Sequence, residues 1–327
     1  MSGSARPIAL VTAPLRGPGL ERLRSVCEVI LDPWIDHVPL NWTDDVGLAA
    51  RLAETGATIL VAESDQVGPE VMKLPLRVIG ATRGDPTNVD VGAATAAGIP
   101  VLRTPGRNAD GVAEMAVALL FAVSRHVIPA DRDGRSRQMF RDQKIPYQHY
   151  RAWQLAGRTV GIVGLGAVGR AAKWRFEGLG MKAISADPFN PEATHSLDDL
   201  LAEADVVSMH AAVTPDTFGL MNAPRFAQMT PGAIFINSAR AGLHDLDALT
   251  DALVTGHLGG AGLDHFDGER LPKAHPIIDL DNVVLTPHIG GATYDTEVNQ
   301  SDMIADDVIA ILEGRPPIHC VNPEVLP

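Results

Sequence analysis

Apolar residues along this chain follow two alternating patterns. Short continuous runs rich in Val and Ile, bounded by Gly, Pro or Asp, are typical of strands buried on both faces of a parallel sheet. These runs predict two series of strands. The first series is Ile8–Thr12, Thr58–Ala62, Arg77–Ala81 and Pro100–Arg103, and the second is Thr159–Val163, Ala183–Ala186, Val206–Met209, Ala233–Asn237, Gly260–Asp264 and Val283–Thr286.

Longer segments between the runs carry apolar residues at the spacing of an amphipathic helix. The clearest are Leu20–Val26, Val46–Thr55, Ala167–Gly178, Ser196–Glu203 and Asp245–Thr255. Regular alternation of strand and helix predicts an α/β fold with doubly wound parallel sheets.

Two further helices and one irregular stretch are predicted. A long helix at about Asn108–His126 separates the two series of strands. A last helix, about Thr293–Glu313, ends before Gly314 and a pair of prolines, which is a strong stop signal. The arginine-rich stretch Asp131–Tyr150 predicts a loop or an arm with solvated charges.

Length and charge limit the kind of protein this is. The chain has 327 residues, which at ~150 residues per domain predicts about two domains. Asp and Glu number 40 against 27 Lys and Arg, so the formal net charge is −13. This charge argues against nucleic acid or an anionic membrane as the main partner, because both would be repelled.

Two features predict a cytoplasmic location. Cys27 and Cys320 are the only cysteines, which fits a reducing compartment better than a disulfide scaffold. The N-terminus shows no apolar signal-peptide core. The most apolar run, Val112 to Val123, contains Glu114 and is too short to cross a bilayer.

The most informative local motif is the run Thr-Val-Gly-Ile-Val-Gly-Leu-Gly-Ala-Val-Gly from Thr159 to Gly169. A predicted strand leads through G-x-G-x-x-G into a predicted helix. In a dinucleotide site Gly164 makes the tight turn, Gly166 lets the pyrophosphate approach the backbone, and Gly169 lets the helix pack on the strand. The phosphates then lie on the helix N-terminus, where unpaired N–H groups favour negative charge. The alternative is an ordinary βα turn; a P-loop is excluded because no Gly-Lys-Ser/Thr follows.

An acid at the end of the next strand indicates which dinucleotide would bind. Asp187 follows Gly169 by 18 residues. A carboxylate there accepts hydrogen bonds from ribose hydroxyls and repels a 2′-phosphate, which predicts NAD rather than NADP.

Three later segments begin where predicted strands end and carry Arg240, Glu269 and His288. Ligands of open parallel sheets bind beyond the carboxyl ends of the strands. We therefore expect these three side chains to gather on the cofactor side.

This set suits hydride transfer between an alcohol carbon and nicotinamide, which also requires movement of the hydroxyl proton. His288 is the expected base because an ordinary imidazole has a pKa of ~6.5, and Glu269 would orient it. Arg240 would bind a substrate carboxylate with its planar fork of donors. Asp264 would accept a hydrogen bond from the nicotinamide carboxamide.

Each of these residues also has a purely structural interpretation. His288 would then be a capped loop residue, and Arg240 would form a surface ion pair. Asp264 would cap a helix, and Glu269 would be solvated. The 11 histidines and two cysteines form no His-x-x-x-His or Cys-x-x-Cys pair, so we expect no metal site.

Taken together, these segments resemble the D-isomer-specific 2-hydroxyacid dehydrogenase family, oxidoreductases that include phosphoglycerate dehydrogenase, glyoxylate/hydroxypyruvate reductase and D-lactate dehydrogenase. The resemblance covers nearly the whole chain, most clearly from about Arg77 to His319. It rests on Asn88-Val-Asp90, Ala94–Val101, Thr104-Pro-Gly106, Val112-Ala-Glu114, Gly164–Gly169, Asp187, Thr214-Pro215, Asn237–Arg240, Asp264–Glu269 and Thr286–Thr293.

The resemblance implies an NAD-dependent enzyme with two Rossmann-like domains, one flavodoxin-like and one NAD-binding, and a cleft between them. Residues 1–104 and 293–327 would form a discontinuous substrate domain, and residues 105–292 the NAD-binding domain. A homodimer formed through the middle domain and an arm at about 125–155 is also implied.

The resemblance further implies that Arg240, Glu269 and His288 are the catalytic residues. The cofactor contacts that we expect are Gly164, Gly166, Ala167, Val168, Gly169, Asp187, His210, Thr214, Ala239, Asp264 and Gly290. The substrate contacts that we expect are Arg83, Gly84, Asp85, Arg240 and His288.

The substrate loop departs from the family pattern. Asp85 stands where glycine is common, and Pro86 removes an N–H donor. Arg83 adds a positive charge that would bind an acidic or phosphorylated substrate. The alternative is a solvated loop charge.

We therefore predict an oxidoreductase that uses NAD to act on a small anion, a D-2-hydroxy acid or its 2-oxo form. The alternative is an NAD(H)-sensing regulatory or corepressor-like protein on the same fold. The presence of Arg240, Glu269 and His288 together favours the enzyme. A formate dehydrogenase is disfavoured, because that branch of the family has Gln where Glu269 stands.

Overall fold

The computed structural model describes residues 6–326, which form two compact units. Unit 1 combines residues 6–108 with residues 293–326, and unit 2 is the intervening Ala109–Ala292. Each unit is built on one sheet in which all strand pairs are parallel.

Strands are numbered in chain order through both units. Those of unit 1 are β1 (Ile8–Val11), β2 (Glu28–Leu31), β3 (Ile59–Ala62), β4 (Val78–Ala81) and β5 (Val101–Leu102). Those of unit 2 are β6 (Thr159–Val163), β7 (Lys182–Ala186), β8 (Val206–Met209), β9 (Ile234–Asn237), β10 (Gly260–Leu263) and β11 (Val283–Leu285). The strand order is β2-β1-β3-β4-β5 in unit 1 and β11-β10-β9-β8-β6-β7 in unit 2.

Helices connect the strands. They are α1 (Pro18–Val26), α2 (Asp45–Thr55), α3 (Val91–Ala96), α4 (Ala109–Ser124), α5 (Val127–Ser136), α6 (Pro146–His149), α7 (Ala167–Gly178), α8 (Leu197–Glu203), α9 (Ala223–Gln228), α10 (Leu246–Val254) and α11 (Tyr294–Leu312). The unit 1 order is the doubly wound order of flavodoxin-like sheets. The predicted fold class, two Rossmann-like parallel-sheet units, is confirmed.

One strand was not predicted. β2 is an edge strand that pairs only with β1, and its residues are half-buried or exposed. It begins two residues after α1 ends, with only Cys27 between them. Its short apolar run was therefore indistinguishable, in the sequence, from the end of the helix pattern.

The arginine-rich stretch 131–150 is more ordered than predicted. It contains the end of α5 and all of α6. The Asp133 side chain is buried, where its carboxylate accepts a hydrogen bond from the Tyr150 hydroxyl and lies 3.1 Å from Arg141 Nε. The prediction of a loop or an arm with solvated charges therefore holds for most charged residues of the stretch, which are exposed, but not for the buried Asp133 or for the helical segments.

Alternate residues of the strands enter different cores, as parallel strands covered on both faces require. In β3, Ile59 and Val61 pack with α1 and α11 residues, whereas Leu60 and Ala62 pack with α2 residues. In unit 2, Phe235 and Ile236 likewise lie in different clusters. Both sheets are thus buried centrally, and their polar loops project from the strand ends.

Helices α1 and α11 join the two separate parts of unit 1. A Cβ atom at Gly19 would lie 2.3 Å from the carbonyl carbon of Ser301 and 2.4 Å from the amide nitrogen of Asp302. The two backbones therefore meet at a point where no side chain fits. Next to it, Arg22 forms ion pairs with Asp302 and Asp306.

Within residues 6–326, no single helix is long and apolar enough to cross a membrane; the bent pair α4 and α5 meets that test together, by length and composition only.

We expect Gly19→Ala to destabilise the protein by about 1–3 kcal/mol, because the added methyl group must push α1 away from the α11 backbone. The midpoint of urea unfolding measures this. Gly178→Ala is the control, since a Cβ there meets no atom within 4 Å. Its effect should be neutral or stabilising by up to ~1 kcal/mol. Equal midpoints for Gly19→Ala and the parent would contradict the close helix contact.

Candidate active site

The glycine loop lies where the winding of the unit 2 sheet reverses. β6 pairs with β7 on one side and β8 on the other. Gly164, directly after β6, has a φ of 92°, and a Cβ there would lie 2.6 Å from the Ala211 amide nitrogen after β8. The loops after β6 and β8 thus touch at the switch point, the place where ligands bind in open α/β sheets.

The other two glycines shape opposite sides of this loop. A Cβ at Gly169 would lie 2.0 Å from the Gly164 carbonyl oxygen, so only glycine lets α7 start against the turn. A Cβ at Gly166 would meet no atom within 4 Å. Gly166 is the N-cap of α7, and Ala167 and Val168 form its first turn. Open space above a helix N-terminus fits a dinucleotide pyrophosphate.

Asp187 follows β7 and adjoins the same loop. Its Oδ2 accepts a hydrogen bond from the Leu165 amide at 2.8 Å, and its Oδ1 accepts one from the Phe189 amide at 3.0 Å. Asn190 donates to the Leu165 carbonyl at 2.9 Å. The carboxylate is therefore fixed beside the glycine loop, as a ribose-binding acid would be.

The remaining predicted cofactor residues follow β8 and β9. The His210 ring nitrogen Nε2 lies 2.9 Å from Ser208 Oγ, and burial lowers the pKa of this imidazole to about 4, so the ring is neutral. The Thr214 amide donates to Thr217 Oγ1 at 2.7 Å and forms a local turn. The Ala239 amide donates to Asn237 Oδ1 at 3.0 Å. All three lie at the carboxyl end of the sheet, as does the glycine loop.

Arg240, Glu269 and His288 follow three adjacent strands, β9, β10 and β11. His288 Nδ1 and Glu269 Oε1 are 2.7 Å apart, and their side chains are 43% and 59% exposed. The structure therefore joins these two predicted residues in an accessible carboxylate–imidazole pair.

The backbone at this pair is strained. Glu269 has a φ of 57° and His288 a φ of 55°, values in the left-handed region that non-glycine residues rarely adopt. Such residues cost ~1–3 kcal/mol each and persist only where their surroundings enforce them.

Asp264 holds the backbone of His288 in this conformation through the residues that follow it. Its buried carboxylate accepts hydrogen bonds from the Ile289 amide at 2.9 Å, the Gly290 amide at 2.7 Å and the Thr286 hydroxyl at 2.6 Å. A Cβ at Gly290 would lie 2.9 Å from Asp264 Oδ2, so only glycine at this position leaves room for the Asp264 carboxylate and its hydrogen bonds. The predicted contact between Asp264 and the nicotinamide carboxamide stays a prediction.

Arg240 is held by two residues of its own segment and by His265, which the sequence did not single out. Asn237 Nδ2 donates to the Arg240 carbonyl at 2.8 Å, and the guanidinium Nη1 donates to the Ala239 carbonyl at 2.6 Å. Nη1 also lies 3.3 Å from His265 Nε2. In the sequence, only its position directly after Asp264 distinguished His265 from the other histidines in this half of the chain.

Arg83, Gly84 and Asp85 lie in unit 1, just after β4. Arg83 Nε donates to the Glu63 carbonyl at 2.6 Å, while Gly84 and Asp85 are exposed. The Glu63 side chain itself forms a buried ion pair with Arg107, with Nη2 and Oε1 2.6 Å apart. Burial lowers the pKa of Arg107, and Glu63 opposes that shift. No sequence motif indicated this pair.

Comparison with known proteins identifies the family. The model of the D-isomer specific 2-hydroxyacid dehydrogenase, NAD binding domain, matches residues 117–290. A glyoxylate reductase of Thermofilum pendens is 35% identical over 98% of this chain and 96% of its own length. A D-3-phosphoglycerate dehydrogenase of Mycobacterium bovis is 36% identical over 86% of this chain, but the match spans only 54% of that relative.

A solved structure agrees with these matches. The crystal structure of the TT0316 protein from Thermus thermophilus is similar to this chain with a TM-score of 0.80 and 36% identity. The similarity covers 96% of this chain and 99% of the other.

These findings confirm the predicted resemblance and favour the enzyme over the regulatory alternative. The chain belongs to the D-isomer specific 2-hydroxyacid dehydrogenases, NAD-dependent oxidoreductases that transfer a hydride between nicotinamide and 2-hydroxy or 2-oxo acids.

Proposed function

We propose that this protein interconverts a small 2-oxo acid and its D-2-hydroxy acid, with Arg240, Glu269 and His288 as the catalytic residues. The observation that carries the proposal is the 2.7 Å contact between His288 Nδ1 and Glu269 Oε1 at the accessible end of the sheet. Bound nicotinamide supplies or accepts the hydride at C2 of the substrate.

His288 would move the proton that accompanies the hydride. With Glu269 accepting from Nδ1–H, the other ring nitrogen, Nε2, is left for the substrate oxygen. In reduction the imidazolium donates its Nε2 proton to the oxygen as C2 receives the hydride; in oxidation the neutral Nε2 accepts the hydroxyl proton. Glu269 keeps the ring in the tautomer that both directions require.

Arg240 would bind the substrate carboxylate. Its Nη1 is occupied by Ala239 and His265, whereas Nε and Nη2 have no acceptor among residues 6–326. These two nitrogens lie on one edge of the guanidinium and match the two oxygens of a carboxylate. The same charge would polarise the neighbouring 2-oxo group.

Within unit 2, we assign the pyrophosphate to the glycine loop and the adenosine ribose to Asp187. The open space at Gly166 and the N-terminus of α7 support the first assignment. The position of the Asp187 carboxylate beside the Leu165 amide supports the second. Loops containing His210, Thr214 and Ala239 would line the rest of the cofactor site.

Within unit 1, we assign substrate contacts to Arg83, Gly84 and Asp85. In the described part of the chain, the Gly84 and Asp85 amides donate to no protein acceptor, and both residues are exposed. Free amides after a strand suit a substrate carboxylate. Unit 1 would thus be the substrate domain and unit 2 the NAD-binding domain.

We also propose a cytoplasmic homodimer. Both cysteines are free thiols, as a reducing compartment favours. The arm of unit 2, residues 125–155, exposes Phe140, Tyr147 and Trp153 to 72%, 75% and 80%. Large apolar side chains at this exposure suit burial against a second copy.

A panel of 2-oxo acids tests the activity. We expect NADH absorbance to fall with at least one of glyoxylate, hydroxypyruvate and sugar-acid analogues. A reaction without enzyme and one with the His288→Asn variant serve as blanks for each acid. Absence of turnover with every acid would favour a regulatory protein on the same fold.

His288→Asn should lower kcat by ~10²–10⁴-fold, because it removes the proton-transfer group, while NADH binding by fluorescence titration stays unchanged. His195→Asn is the control, because His195 lies at the start of α8 and contacts Thr194 and Glu203. Near-normal turnover of His288→Asn would remove His288 as the acid–base residue.

Asp187→Ala should shift the ratio of kcat/KM for NADH to that for NADPH towards NADPH by about tenfold or more, because it removes the charge that repels a 2′-phosphate. Asp187→Asn removes the negative charge but keeps a side-chain oxygen that can accept from the Leu165 amide, so it tests the charge apart from that hydrogen bond. Asp198→Ala, an exposed carboxylate in the first turn of α8, is the control. An unchanged ratio in both Asp187 variants would mean that Asp187 does not face the ribose.

A further inference from the structure

His265 lies between two of the catalytic side chains, yet the proposed mechanism gives it no role. Its ring centroid is 3.8 Å from that of His288, with the ring planes 46° apart. Its Nε2 is 3.3 Å from Arg240 Nη1. The residue is only 5% exposed, whereas the His288 side chain is 43% exposed.

Hydrogen-bond chemistry fixes the state of the His265 ring. Arginine only donates, so His265 Nε2 must accept from Nη1 and the ring proton must reside on Nδ1. Burial, together with the charges of His288 and Arg240, lowers the pKa of His265 to about 3, so the ring stays neutral at ordinary pH. The Nδ1 atom is buried and has no partner in the described part of the chain. His265 is therefore not placed to exchange a proton with the substrate.

A neutral acceptor is the type of group that this position requires. A carboxylate next to Arg240 would neutralise the charge that attracts the substrate, and a cation would repel both Arg240 and His288. An aliphatic side chain would leave Nη1 with the Ala239 carbonyl alone. A neutral imidazole accepts from Arg240 and also contacts the His288 ring at a tilted angle.

We propose that His265 is a positioning residue that holds the Arg240 guanidinium through Nε2 and the His288 imidazole through ring contact, so that the carboxylate-binding and proton-transferring groups keep one spacing. This inference rests on the proposed roles of Arg240 and His288.

Two substitutions separate the two contacts. His265→Phe keeps an aromatic ring against His288 and removes the acceptor for Arg240. His265→Gln places an amide oxygen at a reach similar to Nε2 and removes the ring. We expect His265→Phe to raise KM for the 2-oxo acid by about tenfold with a smaller fall in kcat, and His265→Gln to restore KM while lowering kcat.

Three controls show whether His265 acts through its neighbours. NADH affinity should change less than KM or kcat in both variants, since neither contact reaches the glycine loop, where we place the pyrophosphate. His275→Phe, at a histidine that contacts Asp247 instead, should leave KM and kcat unchanged. In an Arg240→Lys background, His265→Phe should add little to KM, because the hydrogen bond it removes is already disturbed.

Parental KM and kcat in both His265 variants would overturn the inference. So would the same rise in KM and the same losses of kcat and NADH affinity in both variants, which indicate a general structural role. These outcomes differ from failure of the proposed function, in which His288→Asn and Arg240→Lys would themselves leave turnover unchanged.

Discussion

The carboxylate of Asp264, at the end of β10, is fully enclosed by protein. A buried charge is tolerated only when hydrogen bonds replace its water, and here two backbone amides and a hydroxyl do so. Both amides belong to the residues directly after His288. The same bonds that satisfy the charge therefore hold His288 in a backbone conformation that it would otherwise leave. The contact of His288 with Glu269, and the position of any proton that His288 carries, therefore depend on the Asp264 carboxylate.

A parallel sheet makes such an arrangement possible, because all its strands end on one side. In unit 2 the proposed cofactor residues lie mainly after β6, β7, β8 and β9, and the proposed catalytic residues follow β9, β10 and β11. Residues far apart in sequence thus lie at the same edge of the sheet. Buried strands provide the rigidity, and the loops carry the chemistry.

Patterns local in sequence predicted most of the fold, and they located the glycine loop at the end of β6. The roles of Gly164 and Gly169 follow from motif and context, and the close approaches to Ala211 and to the Gly164 carbonyl are the physical reason for those glycines. β2 was not predicted, because this edge strand has no continuous run of buried residues to distinguish it. Arg240, Glu269 and His288 were singled out because their chemistry and the family resemblance agree, and the structure joins two of them, His288 and Glu269. The positions of Asp264 and His265 depend on contacts across neighbouring strands, which a single sequence does not reveal.

The meeting of Gly19 with Ser301 has a consequence for the order in which the chain folds. These residues are separated by all of unit 2, so α1 has no α11 to pack against until residues 294–312 have left the ribosome. Unit 2 is continuous and can close its own core before then. Synthesis from the N-terminus thus exposes the apolar face of β1 and β3 for longer than any surface of unit 2, which makes the first part of the chain the one most in need of protection from aggregation during translation.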